Sequence, residues 1–297
     1  MNTTRDPLTL PESDTAPQER VGRHLIGAIL IEEGKLSAVD AERVYDYQKK
    51  KHLRFGDAAV RLKLVKTSDV QLALSKQFDY SHLPAREATL SRELVTAFEP
   101  FSPAAESFRL MRAQLSLRWM KQQGAARTLA IISPTPADGR TFVAANLAVV
   151  LSQLGERTLL VDADLRRGRQ HGLFGLENGA GLSTILSGRI VGHEIQRIAS
   201  LPGLSVLPAG PMPPNPQELL NRPAFTALLD EVSHGFDVVL ADTSASEYGA
   251  DAQIVAARVE ASLLVVRKNA TRLPALFDLT DHLKQMHAVV AGTFMND

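Results

Sequence analysis

Two apolar runs in the second half of the chain end in aspartate. Asp162 and Asp164 follow the run TLLV, and Asp242 follows VVLA. Carboxylates are the side chains that phosphoryl transfer requires, since they hold Mg²⁺ and orient or deprotonate the nucleophile. Taken singly, each aspartate is equally well explained as a turn residue or a helix cap. Together they predict a phosphoryl-transfer site, provided that a phosphate-binding element lies beside them.

A loop that leads into a helix precedes these aspartates, in the sequence SPTPADGRTFVAANLAVVLSQLG. The first N–H groups of a helix and the helix dipole suit an anionic phosphate. Here Thr141 would offer its hydroxyl to Mg²⁺, and Arg140 would reach the β- and γ-phosphates of ATP. A strand–turn–helix that only packs is the alternative for the loop alone, but the ordered loop and aspartates favour an ATP-Mg²⁺ site. The residues expected to contact the nucleotide in this loop are Ala137, Asp138, Gly139, Arg140, Thr141 and Phe142.

Strand and helix patterns alternate from Thr128 onward, which predicts an α/β fold with a mostly parallel sheet and helices on both faces. In such sheets ligands bind beyond the carboxyl ends of the strands, where the aspartates fall. The predicted strands are Thr128–Ile132, Thr158–Val161, Leu204–Leu207, Val238–Ala241, Ser262–Val266 and Ala288–Phe294. The predicted helices span about 141–154, 216–233, 250–258 and 273–286.

The first part of the chain contains an internal repeat with an offset of 29 residues, which relates Gly27 to Gly56 and Gln48 to Gln77. Each copy reads as a short apolar helix, a turn and an amphipathic helix. The predicted organisation is a disordered tail at 1–21, a helical domain at 22–80, a linker at 81–103 and the phosphate-loop domain at 104–297. The last domain is expected to open with a helix from about Ala104 to Lys121.

Bulk composition restricts the classes of function. Lysine plus arginine and aspartate plus glutamate number 33 each, so no overall field indicates binding to nucleic acid. The chain has no cysteine, which excludes disulfides, thiolate metal sites and a cysteine nucleophile. No run approaches the roughly 18 apolar residues of a membrane helix, and the N-terminus has no apolar signal region. A cytoplasmic location is therefore expected, with any membrane role exerted through a partner.

Residues from about Phe98 to Asn296 resemble the bacterial tyrosine kinases of capsule and exopolysaccharide assembly, and most closely the branch of chain-length-determinant tyrosine kinases. The resemblance rests on ESFRLMR, the phosphate loop, DADLRR, LSVLPAGPMPPNPQELL, DTSA and a last strand that ends in asparagine. It implies a deviant-Walker P-loop NTPase fold of the MinD/ParA-like superfamily. It also implies ATP and Mg²⁺ as ligands, and a separate membrane-spanning copolymerase as partner, which would hold the chain at the inner membrane.

The resemblance also assigns roles to individual residues. Asp162 and Asp242 would serve Mg²⁺ and catalysis, with Asp164 as a supporting carboxylate, and Asn296 would contact adenine. The helix that carries Glu106, Arg109 and Arg112 would mediate ring-like self-association. The expected catalytic residues are Arg140, Asp162, Asp164 and Asp242, and the expected Mg²⁺ ligands are Thr141, Asp162 and Asp242.

Four departures from the expected pattern affect the predicted activity, and three of them lie in the phosphate loop. Pro134 replaces the first glycine of the phosphate loop, Arg140 replaces its lysine, and Ala137 replaces another loop glycine. Arginine is a planar fork and not a compact ammonium, and alanine costs roughly 1–2 kcal/mol wherever a positive φ is required. The C-terminal tyrosine cluster of the family is absent from this sequence, so tyrosine phosphorylation is expected mainly on another protein.

The repeat resembles the N-terminal domain of type II secretion and pilus ATPases, which binds cyclic di-GMP in some members. Leu25–Gln48 and Arg54–Gln77 reproduce its two motifs of 24 residues and the spacer of five. The resemblance implies a cyclic di-GMP site, and a helical docking module for a protein is the alternative. The residues expected at that site are Gly27, Gln48, Arg54, Gly56 and Gln77.

The favoured function is thus an ATP-dependent protein-tyrosine kinase that acts in exopolysaccharide chain-length control. The first alternative is a weakly active or inactive ATP-binding regulator of the membrane copolymerase. The second is a partitioning or division-site ATPase of the same superfamily. Those ATPases carry a lysine early in the phosphate loop, where this chain has Thr135, and this sequence shows no basic or amphipathic C-terminal tail.

Overall fold

A computed structural model describes residues 25–77, 89–119, 127–189 and 194–297. The chain forms two compact units, Met1–Tyr80 and Ser81–Asp297. The expected tail at 1–21 lies outside the described residues, as do Tyr80 and Lys121.

Within residues 25–77 the small unit consists of four helices that repeat as two pairs. Gly34 and Lys63, which are 29 residues apart, both have positive φ angles (+66° and +58°) and turn the chain inside each copy. The Ser37 hydroxyl caps the second helix by accepting a hydrogen bond from the Asp40 N–H at 3.0 Å. The repeat in the sequence therefore corresponds to a repeat in the structure. The helices are α1 (Ile26–Glu32), α2 (Ala38–Lys51), α3 (Phe55–Arg61) and α4 (Thr67–Gln77).

The predicted linker is wrong for its described part, because residues 89–103 pack into the larger unit. They include a short helix, α5 (Val95–Phe98), whose Thr96 N–H donates to Asn146 Oδ1 at 3.0 Å. Leu94 and Ala97 are completely buried. Three prolines and weak periodicity suggested a linker, but a four-residue helix is too short to show a period. The next helix, α6 (Pro103–Arg118), begins after Ser102, whose hydroxyl accepts from Ala105 N–H.

The larger unit contains, among the described residues, one seven-stranded sheet in the order β3-β4-β2-β5-β1-β6-β7. Every pair is parallel except β3, which runs antiparallel to β4 at the edge. The predicted α/β fold with a mostly parallel sheet is confirmed. The strands are β1 (Arg127–Ile132), β2 (Thr158–Asp162), β3 (Gln196–Arg197), β4 (Leu204–Leu207), β5 (Val238–Asp242), β6 (Ala261–Arg267) and β7 (Val290–Asn296).

The helices of this unit cover both faces of the sheet, and each face has its own apolar core. The helix predicted over 216–233 is divided in two, because Pro223 holds Arg222 in an extended conformation (ψ +148°). In the described part of the chain no helix has the length and apolar character needed to cross a membrane. The remaining helices are α7 (Arg140–Ser152), α8 (Gln170–Leu173), α9 (Leu182–Leu186), α10 (Pro216–Asn221), α11 (Pro223–Gly235), α12 (Asp251–Ala256) and α13 (Leu273–Gln285), with a 3-10 turn at Ser246–Tyr248.

Candidate active site

The phosphate loop connects β1 to α7 and lies at the carboxyl edge of the sheet. Gly139 precedes the helix with a φ of +99°, so the first N–H groups of α7 are left for an anion. The buried Asp138 carboxylate accepts from Thr135 N–H at 2.9 Å and from the Thr271 hydroxyl at 2.7 Å. Asp138 therefore stabilises the loop itself, which is a more local role than the predicted contact with nucleotide.

Ala137 has a φ of +62°, the conformation in which alanine is strained. We expect Ala137→Gly to raise the free energy of unfolding by about 1 kcal/mol, because strain of about 1–2 kcal/mol is relieved while glycine costs about 0.5–1 kcal/mol of chain entropy. Thermal unfolding should show a melting temperature about 2–4 °C higher. The matched control Ala257→Gly, at a helical φ of −74°, should be destabilising; an Ala137→Gly variant that melts lower than wild type would contradict the strain argument.

Arg140 is buried and binds protein oxygens on both sides of the loop. Its Nε donates to Thr243 O at 2.8 Å, and its Nη1 donates to Thr135 O at 3.0 Å and to the Ser133 hydroxyl. A lysine ammonium could not reach these acceptors with the fixed geometry of the guanidinium fork. Arg140 thus ties the phosphate loop to the end of β5, and its predicted contact with phosphate stays a prediction.

Asp162 and Asp242 end the neighbouring strands β2 and β5 and are paired in register. Both are completely buried. Burial raises the pKa of Asp162 well above its ordinary value, and the charge of Asp242 raises it further. Burial also raises the pKa of Asp242 to about 6, although the Arg140 charge opposes this. The sheet therefore brings the two predicted carboxylates together. Because two buried carboxylates repel each other when both are charged, this pair favours a bound cation, which could also contact a phosphate.

Gln170 is hydrogen-bonded to the start of α7 and to the aspartates that end β2 and β5. No sequence pattern predicts that it belongs to the site. Its Nε2 donates to Asp242 Oδ2 at 2.9 Å and to Thr141 O at 3.1 Å. Its backbone N–H donates to Asp162 Oδ2 at 2.9 Å. A lone glutamine after an arginine-rich turn has no motif, so only the fold reveals that it positions both carboxylates.

Asp164 organises the turn that follows β2. Its Oδ1 accepts the N–H groups of Arg166 at 3.2 Å and Arg167 at 2.9 Å. The Arg166 side chain then pairs with the buried Asp251 at 2.6 Å, which fixes the turn against the start of α12. Asp164 therefore lies at the same edge as Asp162 and Asp242, as predicted, with one oxygen used by the backbone.

The residues at this edge fit Mg²⁺. The buried Asp242 Oδ1 has no hydrogen-bond partner among the described residues, and the Thr141 hydroxyl is close enough to Asp242 to lower its pKa. Within those residues no three acidic or histidine side chains form a cluster that would hold a metal alone. A Mg²⁺ ion bound through one or two carboxylates, a hydroxyl, phosphate oxygens and water requires no such cluster.

Asn296, the last residue of β7, lies against the phosphate loop. Its Nδ2 donates to Asp138 O at 3.1 Å, and a Cβ on Gly139 would come within 2.1 Å of the same nitrogen. Position 139 therefore favours glycine for its φ, and a Cβ there would displace the Asn296 side chain. The structure brings Asn296 to the nucleotide loop, and its contact with adenine stays a prediction.

The expected self-association residues lie on α6 and make contacts within their own chain. Arg109 Nε donates to Glu106 Oε2 at 2.9 Å, one turn away. Arg112 Nη1 donates to Val150 O on α7 at 2.6 Å. The Glu106 side chain is 70% exposed, so it is the member of the set most open to another chain.

The small unit brings only some of the expected cyclic di-GMP residues together. Gly27 and Gln48 line a largely apolar groove of about 670 Å³ between α1 and α2. Gly56 is instead buried against Val70, and a Cβ there would meet Val70 Cγ1 at 2.6 Å. Arg54 and Gln77, at the start of α3 and the end of α4, are not among the lining residues.

No family model matches the chain. Individual relatives do match. The chain is 33% identical over 232 residues to EpsB of Ralstonia solanacearum. The aligned segment covers 78% of this chain and 30% of EpsB. It is 32% identical over 211 residues to the tyrosine-protein kinase YwqD of Bacillus subtilis strain 168, covering 71% of this chain and 88% of YwqD.

Among solved structures, the kinase domain of the Escherichia coli tyrosine kinase ETK superimposes with a TM-score of 0.64 and 30% identity. The match covers 74% of this chain and 91% of that domain. The chain thus spans less than a third of EpsB but most of YwqD and of the ETK kinase domain. With the phosphate loop, the paired aspartates and these matches together, the chain belongs to the family of bacterial tyrosine kinases.

Proposed function

We propose that this protein is an ATP-dependent protein-tyrosine kinase of exopolysaccharide biosynthesis. The observation that carries the proposal is the pair of completely buried aspartates, Asp162 and Asp242, at the carboxyl edge of the sheet beside the phosphate loop. ATP is the phosphoryl donor. Its phosphates would lie at the N–H groups that open α7, and Asn296 would contact its adenine.

The protein's own residues position the reactants. Thr141, Asp162 and Asp242 would hold Mg²⁺, which when bound would neutralise charge on the phosphates. Arg140 keeps the loop closed and supplies positive charge close to the γ-phosphate. The phenolic oxygen of the acceptor forms a bond to the γ-phosphorus as the bond to the β,γ-bridging oxygen breaks, and ADP leaves. A carboxylate at the end of β2, Asp162 or Asp164, takes the phenolic proton.

Mapping of phosphorylated peptides tests this function. Purified protein is incubated with ATP and Mg²⁺, with and without the cytoplasmic segment of its membrane partner. We expect phosphotyrosine mainly on the partner segment. Abundant phosphotyrosine on Tyr45, Tyr47, Tyr80 or Tyr248 would contradict transfer to another protein, and no phosphotyrosine in either sample would contradict the kinase.

One observation favours the alternative of a weakly active regulator that binds ATP. The Arg140 guanidinium is already bonded to Thr243 O, Thr135 O and Ser133, so it must exchange partners to reach a phosphate. Such a protein would bind ATP-Mg²⁺ with ordinary affinity and form no phosphotyrosine. The same incubation, combined with a binding titration, separates the two functions.

The proposed setting is that of the chain-length-determinant branch, with a separate membrane copolymerase as partner. Support comes from the resemblance of the kinase unit to that branch, which includes the segment LSVLPAGPMPPNPQELL. A membrane partner would place this chain at the inner membrane.

Self-association through α6 forms part of the same proposal. Replacing both Arg109 and Arg112 with alanine should shift the protein toward monomers in size-exclusion chromatography and lower ATP turnover. Charge-assisted hydrogen bonds to a neighbour would be lost. Arg43→Ala is the matched control, because it removes a similar pair one turn apart on α2. A double variant that elutes as wild type would contradict the assignment.

For the small unit we propose cyclic di-GMP as ligand, on the resemblance of the repeat and on the groove that Gly27 and Gln48 line. Calorimetric titration of the full chain should show binding that Arg54→Ala weakens by about tenfold, because a charge-assisted bond to phosphate is lost. Arg61→Ala, at another exposed arginine of the same unit, should have little effect. No heat at high micromolar ligand would favour a protein-docking unit, which the carboxylates of Glu42 and Asp46 in the groove also suit.

A further inference from the structure

A cavity lies at the carboxyl edge of the sheet, on the side of the Asp164 turn. It has a volume of about 330 Å³. The turn after β2, the proline-rich segment after β4 and the 3-10 turn after β5 form its walls. Its lining residues are Arg166, Arg167, Met212, Pro213, Pro214, Pro216 and Tyr248.

This cavity is linked directly to the catalytic carboxylates. Asp164 accepts the backbone N–H groups of Arg166 and Arg167, so the same turn carries a carboxylate on one side and the cavity wall on the other. Gly168 continues the link, since a Cβ there would lie 2.8 Å from Asp162 Oδ2 and 2.5 Å from the Ala209 Cβ. Two residues of the cavity wall, Arg166 and Arg167, are therefore hydrogen-bonded through their backbone to one of the site carboxylates.

The walls are fixed in place before any ligand binds. Gly210, which opens the proline-rich segment, exchanges two hydrogen bonds with Asn178. The Ser183 hydroxyl donates to Pro211 O at 2.7 Å. Proline further restricts the backbone of this segment. Little conformational entropy would be lost when a ligand binds, which favours specific recognition.

The chemistry of the lining is cationic and aromatic. Arg166 is neutralised by Asp251, whereas the exposed Arg167 donates Nη1 to the Tyr248 hydroxyl at 2.7 Å and lies 4.8 Å from the centre of that ring. A guanidinium has five N–H donors, and this bond uses one. Met212 is 73% exposed, and thioethers make favourable contacts with aromatic rings. The cavity thus offers a cation for carboxylates beside apolar surface for a ring.

We propose that this cavity binds the phosphoacceptor segment of the partner protein, a tyrosine with acidic residues beside it. The tyrosine ring packs on Met212 and the prolines, and Arg167 pairs with a flanking carboxylate. The inference rests on the proposed kinase function, because it identifies where the acceptor of that reaction binds and which residues select it.

Peptide binding by fluorescence anisotropy tests the site without requiring turnover. The full chain, saturated with Mg²⁺ and a non-hydrolysable ATP analogue, is titrated with labelled peptides in which tyrosine is flanked by glutamates or by lysines. Wild type should prefer the glutamate peptide. Arg167→Glu should lower the affinity for the glutamate peptide by about tenfold and reverse the preference, because the attraction between Arg167 and the glutamates becomes repulsion. Met212→Ser should lower the affinity for both peptides to a similar extent.

Arg189→Glu, at an exposed arginine that does not line the cavity, is the matched control and should keep the wild-type preference. Equal binding of both peptides by wild type, or the same preference in Arg167→Glu as in Arg189→Glu, would overturn the assignment. Replacing the analogue with ATP separates this result from the function itself. Peptides that bind with the expected preference and yet acquire no phosphate would support the acceptor cavity and contradict the kinase.

Discussion

Asp242→Asn should abolish most of the phosphotransfer activity. The same substitution should stabilise the nucleotide-free protein against unfolding. Activity should fall by about 10²–10³, the usual effect of removing one well-placed electrostatic group from such a site. Mg²⁺-dependent nucleotide affinity should fall with it, because the partnerless Oδ1 is lost as a ligand. A phosphotransfer assay and a titration in the presence and absence of Mg²⁺ measure the two effects.

The stability change follows from the raised pKa of Asp242, which burial lifts from 3.8 to about 6. The folded state favours the protonated acid, so its stabilisation is complete below the pKa of the unfolded chain and is lost as pH rises through about 6. The shift corresponds to about 3 kcal/mol. Asparagine carries no charge, so the variant should unfold at higher urea than wild type at neutral pH and should lose the part of the pH dependence that Asp242 contributes.

Asp281→Asn, at an exposed carboxylate on α13, is the matched control and should change neither activity nor stability appreciably. An Asp242→Asn protein that keeps wild-type activity would remove Asp242 from the Mg²⁺ site. A variant less stable than wild type at neutral pH would show that the aspartate is needed to hold the fold.

Gln170→Glu should destabilise the protein by about 3 kcal/mol. The substitution preserves shape but turns the N–H donors toward Asp242 and Thr141 into acceptors, and it adds a third carboxylate to a buried pair. Nucleotide-free protein in urea denaturation is the appropriate measurement, since bound Mg²⁺ would partly offset the repulsion.

The same chemical change on the surface, Gln285→Glu at the end of α13, supplies the comparison. It should leave the urea midpoint close to wild type. If Gln170→Glu unfolds at the same urea concentration as Gln285→Glu, then the hydrogen bonds of Gln170 do not hold the carboxylates in place.

Most of the fold and the principal site could be predicted from short segments of the sequence. Apolar runs that end in aspartate and a loop that opens a helix are signals confined to a few residues each. Because parallel strands bring their carboxyl ends to one edge, Asp162, Asp164 and Asp242 could be placed together before the register of β2 and β5 was known. The strain at Ala137 was likewise predictable, on the condition that its φ is positive, and its φ is +62°.

What could not be predicted depends on contacts between distant segments. Gln170 reaches Asp242 across 72 positions of the sequence, and Thr96 reaches Asn146 across 50. Neither residue has a motif, and α5 is too short for a hydrophobic period. Arg140 shows a related limit. Its charge suggested a phosphate ligand, while the fold supplies three protein acceptors that no local pattern indicates.

The fate of the γ-phosphoryl group tests the central claim most directly. ATP labelled at the γ-phosphate is incubated with wild-type protein, Mg²⁺ and a tyrosine peptide flanked by glutamates, and label is quantified in phosphotyrosine and in free phosphate. The proposed kinase predicts label in phosphotyrosine that depends on Mg²⁺ and disappears in Asp242→Asn. Label that stays in ATP or appears only as free phosphate, with nucleotide bound, would contradict it.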